Sequence, residues 1–377
     1  MFKVFRYRLY PTAAQRQRLE STLETCRRFY NDCLGEREAV YETEGRTMGK
    51  VEQLRRVKVH KANNPYAEGV HSHVLQIVVS DLDKAFLAFF RRVRAGENPG
   101  YPRFKGVNRF RSFGFKEAGN GFKIDGRRLR LSGIGRVAVR WHRKMEGIIK
   151  TLRVCKRAGK WYAAFSCEVE QQQLAPLETE VGIDAGLSSL FVLSDGEHIE
   201  NPRWYRAAQG KLRVLQRAAA RKKKGGKNRR KAVSTLARFA EYVANQRKDF
   251  LNKLVCTLVA CFGRIAVEDL SINRMVKGYF AKSILDAGWG YFRQRLLAKA
   301  ENAGRQVTLV DPAYTTQNCC QCGCRQSLSL SDRWYSCSCG NSRHRDENAA
   351  LNVLAAGRAV WASTSAMVGV AQEAAVL

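Results

Sequence analysis

The sequence lacks any apolar run long enough to cross a bilayer. The longest run, LVCTLVACF at 254–262, is less than half of the about 20 residues that a membrane helix requires. A secretory signal is lacking as well, because the first residues, MFKVFRYRLYP, carry charges where a signal peptide has its apolar segment. We therefore expect a soluble intracellular protein, in which thiols stay reduced and clustered cysteines favour a metal over disulfides.

Acidic residues are scarce, at 34 Asp and Glu against 66 Lys and Arg, and the formal net charge is +32. So many positive charges repel one another in a compact chain, and binding to a polyanion relieves this repulsion. Nucleic acid is therefore the expected partner. The alternatives are a membrane-surface protein, for which no amphipathic lipid-binding helix stands out, and a solvated basic face. Hydrophobic residues at 45% suffice for proper cores, and 377 residues predict two or three domains.

The first half of the chain predicts helices set among short strands. Residues 2–10 alternate between two faces as a strand does, and Pro11 ends the pattern. Thr12 is the expected N-cap of the following helix, and residues 12–94 carry two long helical patterns separated by a polar gap. Short alternating runs over 96–170 predict a small antiparallel barrel. The first strand can join this barrel, and the helical domain would then be an insertion in it.

The second half begins after a linker at 171–180. Residues 181–196, VGIDAGLSSLFVLSDG, predict a strand, a tight glycine turn and a returning strand. A buried strand is expected at 263–272 and a helix over 283–304. A last helix begins at Asp346, and we expect residues 358–377 to form a disordered tail.

A basic stretch between these elements predicts a helical hairpin. Residues 203–231 hold thirteen Lys and Arg and no acid, with KKKGGKNRR at the expected tip. Uncompensated cations at this density favour contact with phosphates, whereas the alternative is a solvated surface hairpin. The expected nucleic-acid contacts are Arg221, Lys222, Lys223, Lys224, Lys227, Arg229 and Arg230.

Three acids stand in apolar surroundings. Asp184 lies in the strand VGIDAG, Glu268 ends the strand IAVED, and Asp346 begins the last helix. A buried carboxylate needs a partner or a metal. Three carboxylates together repel each other, so a divalent cation is their natural occupant. Each acid alone could instead be capped or salt-bridged. Together they predict hydrolysis of a phosphodiester, in which two divalent ions activate a water and stabilise the leaving oxygen.

Six of the twelve cysteines fall within 319–339. One C-x-x-C pair and one shorter C-x-C pair predict a tetrahedral, structural zinc site. The four expected ligands are Cys319, Cys322, Cys337 and Cys339, and the spare thiols that could substitute are Cys320 and Cys324. Either this cluster only folds a loop, or it supports an active site that contains Asp346.

An ordered series of motifs covers roughly residues 1–355. In chain order the motifs read YRLYPTAAQ, GYPRFKG, VGIDAGLSS, RKKKGGKNRRK, VEDLSINRM, SILDAGWGYF, YTTQNCCQCG, CSCG and RDENAALN. By these motifs the chain resembles the TnpB family, the RNA-guided nucleases encoded by insertion sequences and relatives of the type V CRISPR effectors. Two positions depart from the family pattern. The second cysteine pair is C-x-C, and His344 stands where an acid is usual.

The resemblance implies an α+β multidomain fold that contains a RuvC-like nuclease domain with an RNase H fold. The implied domains are a wedge β-barrel at 1–11 and 95–178, an α-helical recognition domain at 12–94, the nuclease domain at 179–315 and 342–357, and a zinc-binding target-loading insertion at 316–341. The insertion would hold the loop that precedes the last catalytic helix.

The resemblance further implies an RNA-guided DNA endonuclease. Asp184, Glu268 and Asp346 fall on the family's catalytic positions and would use Mg²⁺ or Mn²⁺, with Zn²⁺ on the cysteines. One protein would bind one guide RNA and a double-stranded DNA target, and SHVLQ nominates Ser72 and Gln76 to read a short flanking motif. Such a protein would act in the cytoplasm of a prokaryotic cell, on the nucleoid when bound to DNA. The alternatives are a nuclease-inactive RNA-guided DNA-binding protein and a transposase that acts by strand transfer.

Overall fold

Two units, Met1–Glu170 and Gln171–Leu377, make up the chain in the computed structural model. The structure describes residues 1–107, 109–329 and 331–374, with side chains as far as residue 363. Within these residues, no helix combines the length and the apolar character that crossing a membrane requires.

A curled sheet of seven antiparallel strands forms the frame of the first unit. The strands are β1 (Phe2–Tyr10), β2 (Ser112–Phe115), β3 (Phe122–Asp125), β4 (Arg128–Leu131), β5 (Gly135–Arg140), β6 (Ile148–Arg157) and β7 (Lys160–Glu168). Their order is β2-β6-β7-β1-β5-β4-β3, so the first strand does join the later ones. The rings of Phe115 and Phe122 lie 6.0 Å apart and bring the two edge strands near each other.

Four helices come between β1 and β2 in the chain and share the core of the sheet. They are α1 (Ala13–Glu44), α2 (Lys50–Asn63), α3 (Pro65–Glu68) and α4 (Ser72–Arg94). The predicted N-cap is confirmed, since the Gln15 N–H donates to Thr12 Oγ1 at 3.3 Å and Gln15 Oε1 accepts from the Thr12 N–H. One apolar cluster includes Leu19 and Leu82 of the helices and Phe165 of the sheet, so helices and strands are stabilised together.

A mixed five-stranded sheet organises the second unit. Its strands are β8 (Glu180–Asp184), β9 (Ser189–Leu193), β10 (His198–Glu200), β11 (Arg264–Glu268) and β12 (Gln306–Val310), in the order β10-β9-β8-β11-β12. β11 runs parallel to both β8 and β12, whereas β9 is antiparallel to its neighbours. The central strands β8 and β11 read as nearly continuous apolar runs because they are buried on both faces.

Helices and one small hairpin complete the second unit. They are α5 (Trp204–Ala220), α6 (Lys227–Cys261), α7 (Ile272–Met275), α8 (Ala281–Ala287), α9 (Trp289–Ala303), the hairpin strands β13 (Trp334–Ser336) and β14 (Ser342–His344), and α10 (Arg345–Ala374). The single helix expected over 283–304 is interrupted at Gly288, whose φ of 74° is left-handed and ends α8.

Helix α10 packs directly on β8 and extends beyond its predicted end. A Cβ on Gly182 would lie 2.5 Å from the backbone nitrogen of Leu354, so only glycine allows this approach. The prediction of a disordered tail from 358 is wrong for its first residues. Trp361 is buried, and its Nε1 donates to Thr308 Oγ1 at 2.7 Å. The helix continues to Ala374, and the last part of the predicted tail, 375–377, lies outside the described residues.

Candidate active site

Two of the predicted acids end neighbouring parallel strands. Asp184 is the last residue of β8 and Glu268 the last of β11, and the register pairs Ile183 with Val267 one position earlier. Because the strands are parallel, both carboxylates emerge at the same edge of the sheet, where α/β proteins place their ligands. Asp184 is only 5% exposed.

Asp346 reaches the same place from the first turn of α10. A Cβ on Gly186, two residues after Asp184, would lie 3.9 Å from Asp346 Oδ2. Asp346 is buried, and a carboxylate at a helix N-terminus is favoured by the helix dipole. The fold therefore gathers three acids from distant parts of the chain into one buried site.

The surroundings of these acids disfavour negative charge. Burial, followed by the charges of Glu268 and Asp346, raises the pKa of Asp184 well above its usual range, against a smaller opposing effect of Arg345. Burial also raises the pKa of Glu268 to about 7, although the Thr315 hydroxyl and the Ala185 N–H donate to it and act in the opposite direction. Hydrogen bonds alone do not offset the repulsion, and oxygen ligands of this kind suit a hard divalent cation.

The four predicted cysteines form a compact group. Among the described residues, their four Sγ atoms all lie within 4.8 Å of one another, which is close enough for all four to bind one metal ion.

The cysteine cluster has the dimensions of a zinc site. The Sγ atoms of Cys319 and Cys339 are 3.6 Å apart, and those of Cys322 and Cys337 are 3.5 Å apart. A tetrahedron with Zn–S bonds of about 2.3 Å has edges of about 3.8 Å. Burial raises the pKa of Cys319, but N–H groups of Cys322 and Gln321 and the Asn341 amide lower it to about 6, and the Cys339 N–H lowers the pKa of Cys337. For Cys322 and Cys339, hydrogen bonds with the other thiols outweigh those from the backbone and raise the pKa, so without metal the thiolates are favoured on Cys319 and Cys337.

Cys320 and Cys324 do not belong to this cluster. The Asn341 amide contacts Cys320 Sγ at 3.6 Å, and the backbone oxygen of Cys324 accepts from the Cys319 N–H at 2.9 Å. Both residues thus contribute to the loop that carries the ligands. The cluster is compatible with Zn²⁺ on the four predicted thiols.

Two asparagines of α10 connect the cysteine loop to the acids, and the sequence analysis missed them. Asn348 is fully buried, and its Oδ1 accepts from the Cys320 N–H at 3.0 Å and from Asn341 Nδ2 at 3.1 Å. Asn352 Nδ2 donates to the Thr315 carbonyl at 2.8 Å. Thr315 in turn donates from Oγ1 to Glu268 Oε1 at 2.8 Å. One network therefore joins the cysteine loop, the helix of Asp346 and the carboxylate of Glu268.

His344 caps the helix that carries Asp346. Its Nδ1 accepts from the Asp346 N–H at 3.3 Å. Its ring lies 5.2 Å from that of His198, whose Nε2 is 3.0 Å from Glu347 Oε1. The departure from the family pattern at this position therefore supplies an N-cap and an aromatic contact at the rim of the site.

The predicted basic hairpin exists, but its cations differ in role. Arg229 Nη1 donates to the carbonyls of Ala219 and Lys222, and Arg230 Nη2 donates to Gly225, so both stabilise the turn between α5 and α6. The remaining five are exposed, and no ion pair to an acid is found for them among the described residues. They are Arg221, Lys222, Lys223, Lys224 and Lys227.

The two nominated motif-reading residues lie on α4 in the first unit. Ser72 and Gln76 are one turn apart and half-buried. The backbone oxygen of Gln76 accepts from Ser80 Oγ at 2.9 Å. Within the described part of the chain, the Gln76 side-chain amide has no hydrogen-bond partner.

Three family profiles match successive parts of the chain. A "Helix-turn-helix domain" matches residues 1–46, where the structure has β1 followed by α1. A family described as "Probable transposase" matches residues 164–278, and a "Cas12f1-like, TNB domain" matches residues 289–353. The last two profiles cover the three acids and the cysteine cluster.

Named relatives match along nearly the whole chain. A protein of Streptomyces pristinaespiralis called "Putative RNA-guided DNA endonuclease" is 33% identical over 369 residues, which is 96% of this chain and 90% of that protein. "Putative RNA-guided DNA endonuclease InsQ" of Escherichia coli strain K12 is 30% identical and covers 96% and 93%. A cryo-EM structure of a Cas12f1–sgRNA–target DNA complex shares the fold at a TM-score of 0.60 and 12% identity, covering 94% of this chain and 98% of that one.

Proposed function

This chain belongs to the TnpB family, relatives of the type V CRISPR effectors, and we propose that it is an RNA-guided DNA endonuclease whose RuvC-like site is built from Asp184, Glu268 and Asp346. The observation that carries the site assignment is the convergence of three carboxylates on one buried edge of a mixed sheet. An uncompensated cluster of this kind serves no purpose in packing, since it raises the free energy of the metal-free fold.

The chain's own groups prepare this site for a divalent cation. Asp184, Glu268 and Asp346 would hold Mg²⁺ or Mn²⁺, which when bound activates a water and stabilises the leaving oxygen. Thr315 fixes the orientation of Glu268 by its hydrogen bond. The N-terminus of α10, capped by His344, fixes Asp346. Asp184 is buried in surroundings of low dielectric, and its carboxylate therefore attracts a cation more strongly than an exposed carboxylate would.

Cys319, Cys322, Cys337 and Cys339 would hold Zn²⁺ in a structural role. Four thiolates close the coordination sphere, so the metal would not take part in the reaction. Its effect on cleavage would pass through Asn348 and Asn352, which join the cysteine loop to the helix of Asp346 and to Thr315.

We propose a wedge domain at 1–11 and 95–178, which takes in the curled sheet of the first unit and the first residues of the second, with a recognition domain at 12–94. The nuclease domain would take 179–315 and 342–357, with the zinc-binding insertion at 316–341. One protein would bind one guide RNA and a double-stranded DNA target, in the cytoplasm and on the nucleoid of a bacterial cell. The net charge of +32 supports nucleic-acid partners. The intact triad does not favour a nuclease-inactive protein, and no observation favours strand transfer.

The proposed function is tested by RNA that co-purifies with the protein. We expect a discrete RNA whose 3′ or 5′ segment matches a DNA target, and we expect the purified complex to cut that DNA. Replacing the guide segment should move the cut to the new matching sequence, because base pairing and not the protein would read the target. Cleavage that ignores the RNA sequence, or protein free of RNA with full activity, would contradict the proposal.

The exposed lysines of the α5–α6 turn should contribute to RNA binding. Replacing Lys222, Lys223 and Lys224 with Ala should lower the slope of log affinity against log salt by about 0.7–0.9 for each lost phosphate contact. The measurement is a salt titration of RNA or heteroduplex binding. Lys253→Ala is the matched control on α6, since Asp249 already neutralises that lysine at 2.7 Å. An unchanged slope in the triple variant would identify the turn as a solvated face.

Gln76 should contribute to reading the motif that flanks the target. Its free side-chain amide can pair bidentately with adenine N6 and N7. In a motif-depletion assay, Gln76→Ala should weaken the preference for one base at one position of the motif. We expect this preference to fall by roughly 5- to 150-fold. Gln17→Ala, an exposed change on α1, serves as the control. If Gln76→Ala returns the same motif at the same strength, Gln76 only packs against the sheet.

A further inference from the structure

A polar cavity of about 210 Å³ opens beside the loop that follows Asp184. It belongs wholly to the second unit, and none of the functions assigned above uses it. Its lining includes the polar or aromatic residues Ser188, Asn201, Arg203, Arg206, Phe280 and Asp286. A cavity of this size and composition accommodates part of a nucleotide rather than a folded partner.

The cavity wall is tied to the acid site through the backbone. Asn201 Nδ2 donates to the carbonyl of Leu187 at 3.0 Å, and Asn201 Oδ1 accepts from the Arg203 N–H at 3.2 Å. Arg203 adopts φ 47° and ψ 50°, a left-handed conformation that a residue with a side chain rarely takes. Strain of this kind persists where the surroundings enforce it, which is typical of functional sites.

The charges in the cavity are unequal. Asp286 is buried, and its carboxylate accepts from the Tyr205 N–H at 2.8 Å and from Arg247 Nη1 at 3.3 Å. It also accepts from the Arg206 N–H at 3.4 Å, so the acid is compensated and the start of α5 is already capped. The guanidinium groups of Arg203 and Arg206 are exposed, and within the described chain no acid pairs with them. The uncompensated charge of the cavity is therefore positive.

One ring of an exposed aromatic pair, that of Phe280, lines the same cavity. Tyr279 is 96% exposed and Phe280 is 49% exposed. Their rings meet edge to face, with centroids 5.1 Å apart and planes at 89°. Apolar rings left in water beside free guanidinium groups are the composition that single-stranded nucleic acid recognises, because bases stack on the rings and phosphates bind the cations.

We propose that this cavity binds a nucleotide of the DNA strand that enters the acid site, with its base on Phe280 and its phosphates on Arg203 and Arg206. The position argues for the strand being cut. Ser188 is four residues from Asp184, a span of at most about 14 Å, and the intervening Gly186 borders Asp346. The inference rests on the proposed function, because it needs a DNA strand in the acid site.

The kinetic test uses the full-length protein with its guide RNA and target. Phe280→Ala, Arg203→Ala and Arg206→Ala should each slow single-turnover cleavage by roughly 5- to 150-fold. Formation of the RNA-guided complex with target DNA should stay within about 2-fold of wild type, since base pairing dominates it. The matched controls are Tyr242→Ala, an exposed aromatic of α6, and Lys253→Ala, an exposed cation of α6 outside the basic stretch. Wild-type cleavage rates in the three cavity variants would overturn the inference.

A crosslinking test identifies the strand. With cleavage blocked by Asp184→Asn, 5-iododeoxyuridine placed within a few nucleotides of the mapped cut should photocrosslink to the peptide that contains Tyr279 and Phe280. The yield should fall with Phe280→Ala. Crosslinking of this peptide only from 5-iodouridine in the guide RNA, or no crosslink at all, would overturn the inference. If wild-type protein shows no guided cleavage, the proposed function itself fails, and this outcome is distinct from normal cleavage by the cavity variants.

Discussion

Asp184→Asn is expected to abolish guided DNA cleavage, by about 10³-fold or more, while RNA and target DNA still bind. The amide keeps the size of the carboxylate but removes the charge that would hold a divalent cation at the edge of β8 and β11. Binding of RNA would depend on basic surfaces elsewhere in the chain and should not change. Cleavage of a matched target in Mg²⁺ or Mn²⁺, together with an RNA-binding titration, measures both effects. Glu268→Gln and Asp346→Asn should behave alike.

The control for this prediction is Asp249→Asn, a change at an exposed acid of the same unit. It should cut at the wild-type rate. Wild-type cleavage by Asp184→Asn would instead mean that the acid cluster is not the nuclease site.

Metal-free stability gives a second readout of the same cluster. The pKa of Glu268 is raised from 4.5 to about 7, so the folded state binds more protons than the unfolded state between these values. Stability from this group therefore falls as pH rises through that window. In chelator, Glu268→Gln should melt higher than wild type by a margin that grows from about pH 4.5 to pH 7. Equal melting temperatures throughout would contradict the burial penalty inferred for this carboxylate.

Loss of zinc is expected to reduce cleavage strongly while the first unit stays folded. Protein purified without chelator should hold about one zinc per chain. Because folding and metal binding are coupled in such clusters, removing zinc should disorder residues from about 316 to 341. Asn348 would then lose its hydrogen bonds with Cys320 and Asn341. The first turn of α10, which carries Asp346, would no longer be held in position by the cysteine loop. Metal analysis, cleavage rates and RNA binding should be measured on Cys319→Ser, with Cys256→Ser, a change at an exposed thiol of α6, as the control outside the cluster.

A variant at Asn348 tests the connection between the cysteine loop and the helix of Asp346 separately from the zinc content. Asn348→Ala should keep about one zinc per chain but cut more slowly, by roughly 10- to 100-fold, as is typical when groups that orient metal ligands are removed. Less than about a tenth of an equivalent of zinc in fully active wild-type protein would show that the cysteines only pack.

The acids and the cysteines could be predicted because their signals are local. Asp184 and Glu268 each follow directly on the apolar residues of a strand, and a buried acid at such a position needs a partner or a metal. Pairs of cysteines at the spacing of zinc ligands predict a tetrahedral metal site without any knowledge of the rest of the fold. The family, too, follows from motifs in fixed order, and the comparisons confirm it. Asn348 and Asn352 carry no such signal beyond their spacing of four on an apolar helix, because their partners are backbone groups of a distant loop.

Other features depended on tertiary contacts. Helix α2 lies in what the sequence showed as a polar gap, because its buried face includes Gln53. That side chain is satisfied by Arg37 Nε at 2.7 Å and by the Cys33 carbonyl at 2.7 Å, neither of which sequence periodicity can reveal. Likewise, α10 continues beyond residue 357, where the sequence predicted its end, because Trp361 packs in one apolar cluster with Ala266 and Val310.

Asp346 lies on α10, near the end of the chain, so the acid site is completed late in synthesis. The first unit is complete before any strand of the second sheet has been synthesised, so a nascent chain can fold the curled sheet and its four helices early. The ribosome makes Asp346 last of the three acids, roughly 4 to 16 s after Glu268 at bacterial elongation rates. Until then, β8 and β11 present two carboxylates without the third. A polypeptide interrupted between Glu268 and Asp346 would therefore carry the α5–α6 turn, which we propose to bind RNA, but would lack the complete acid site.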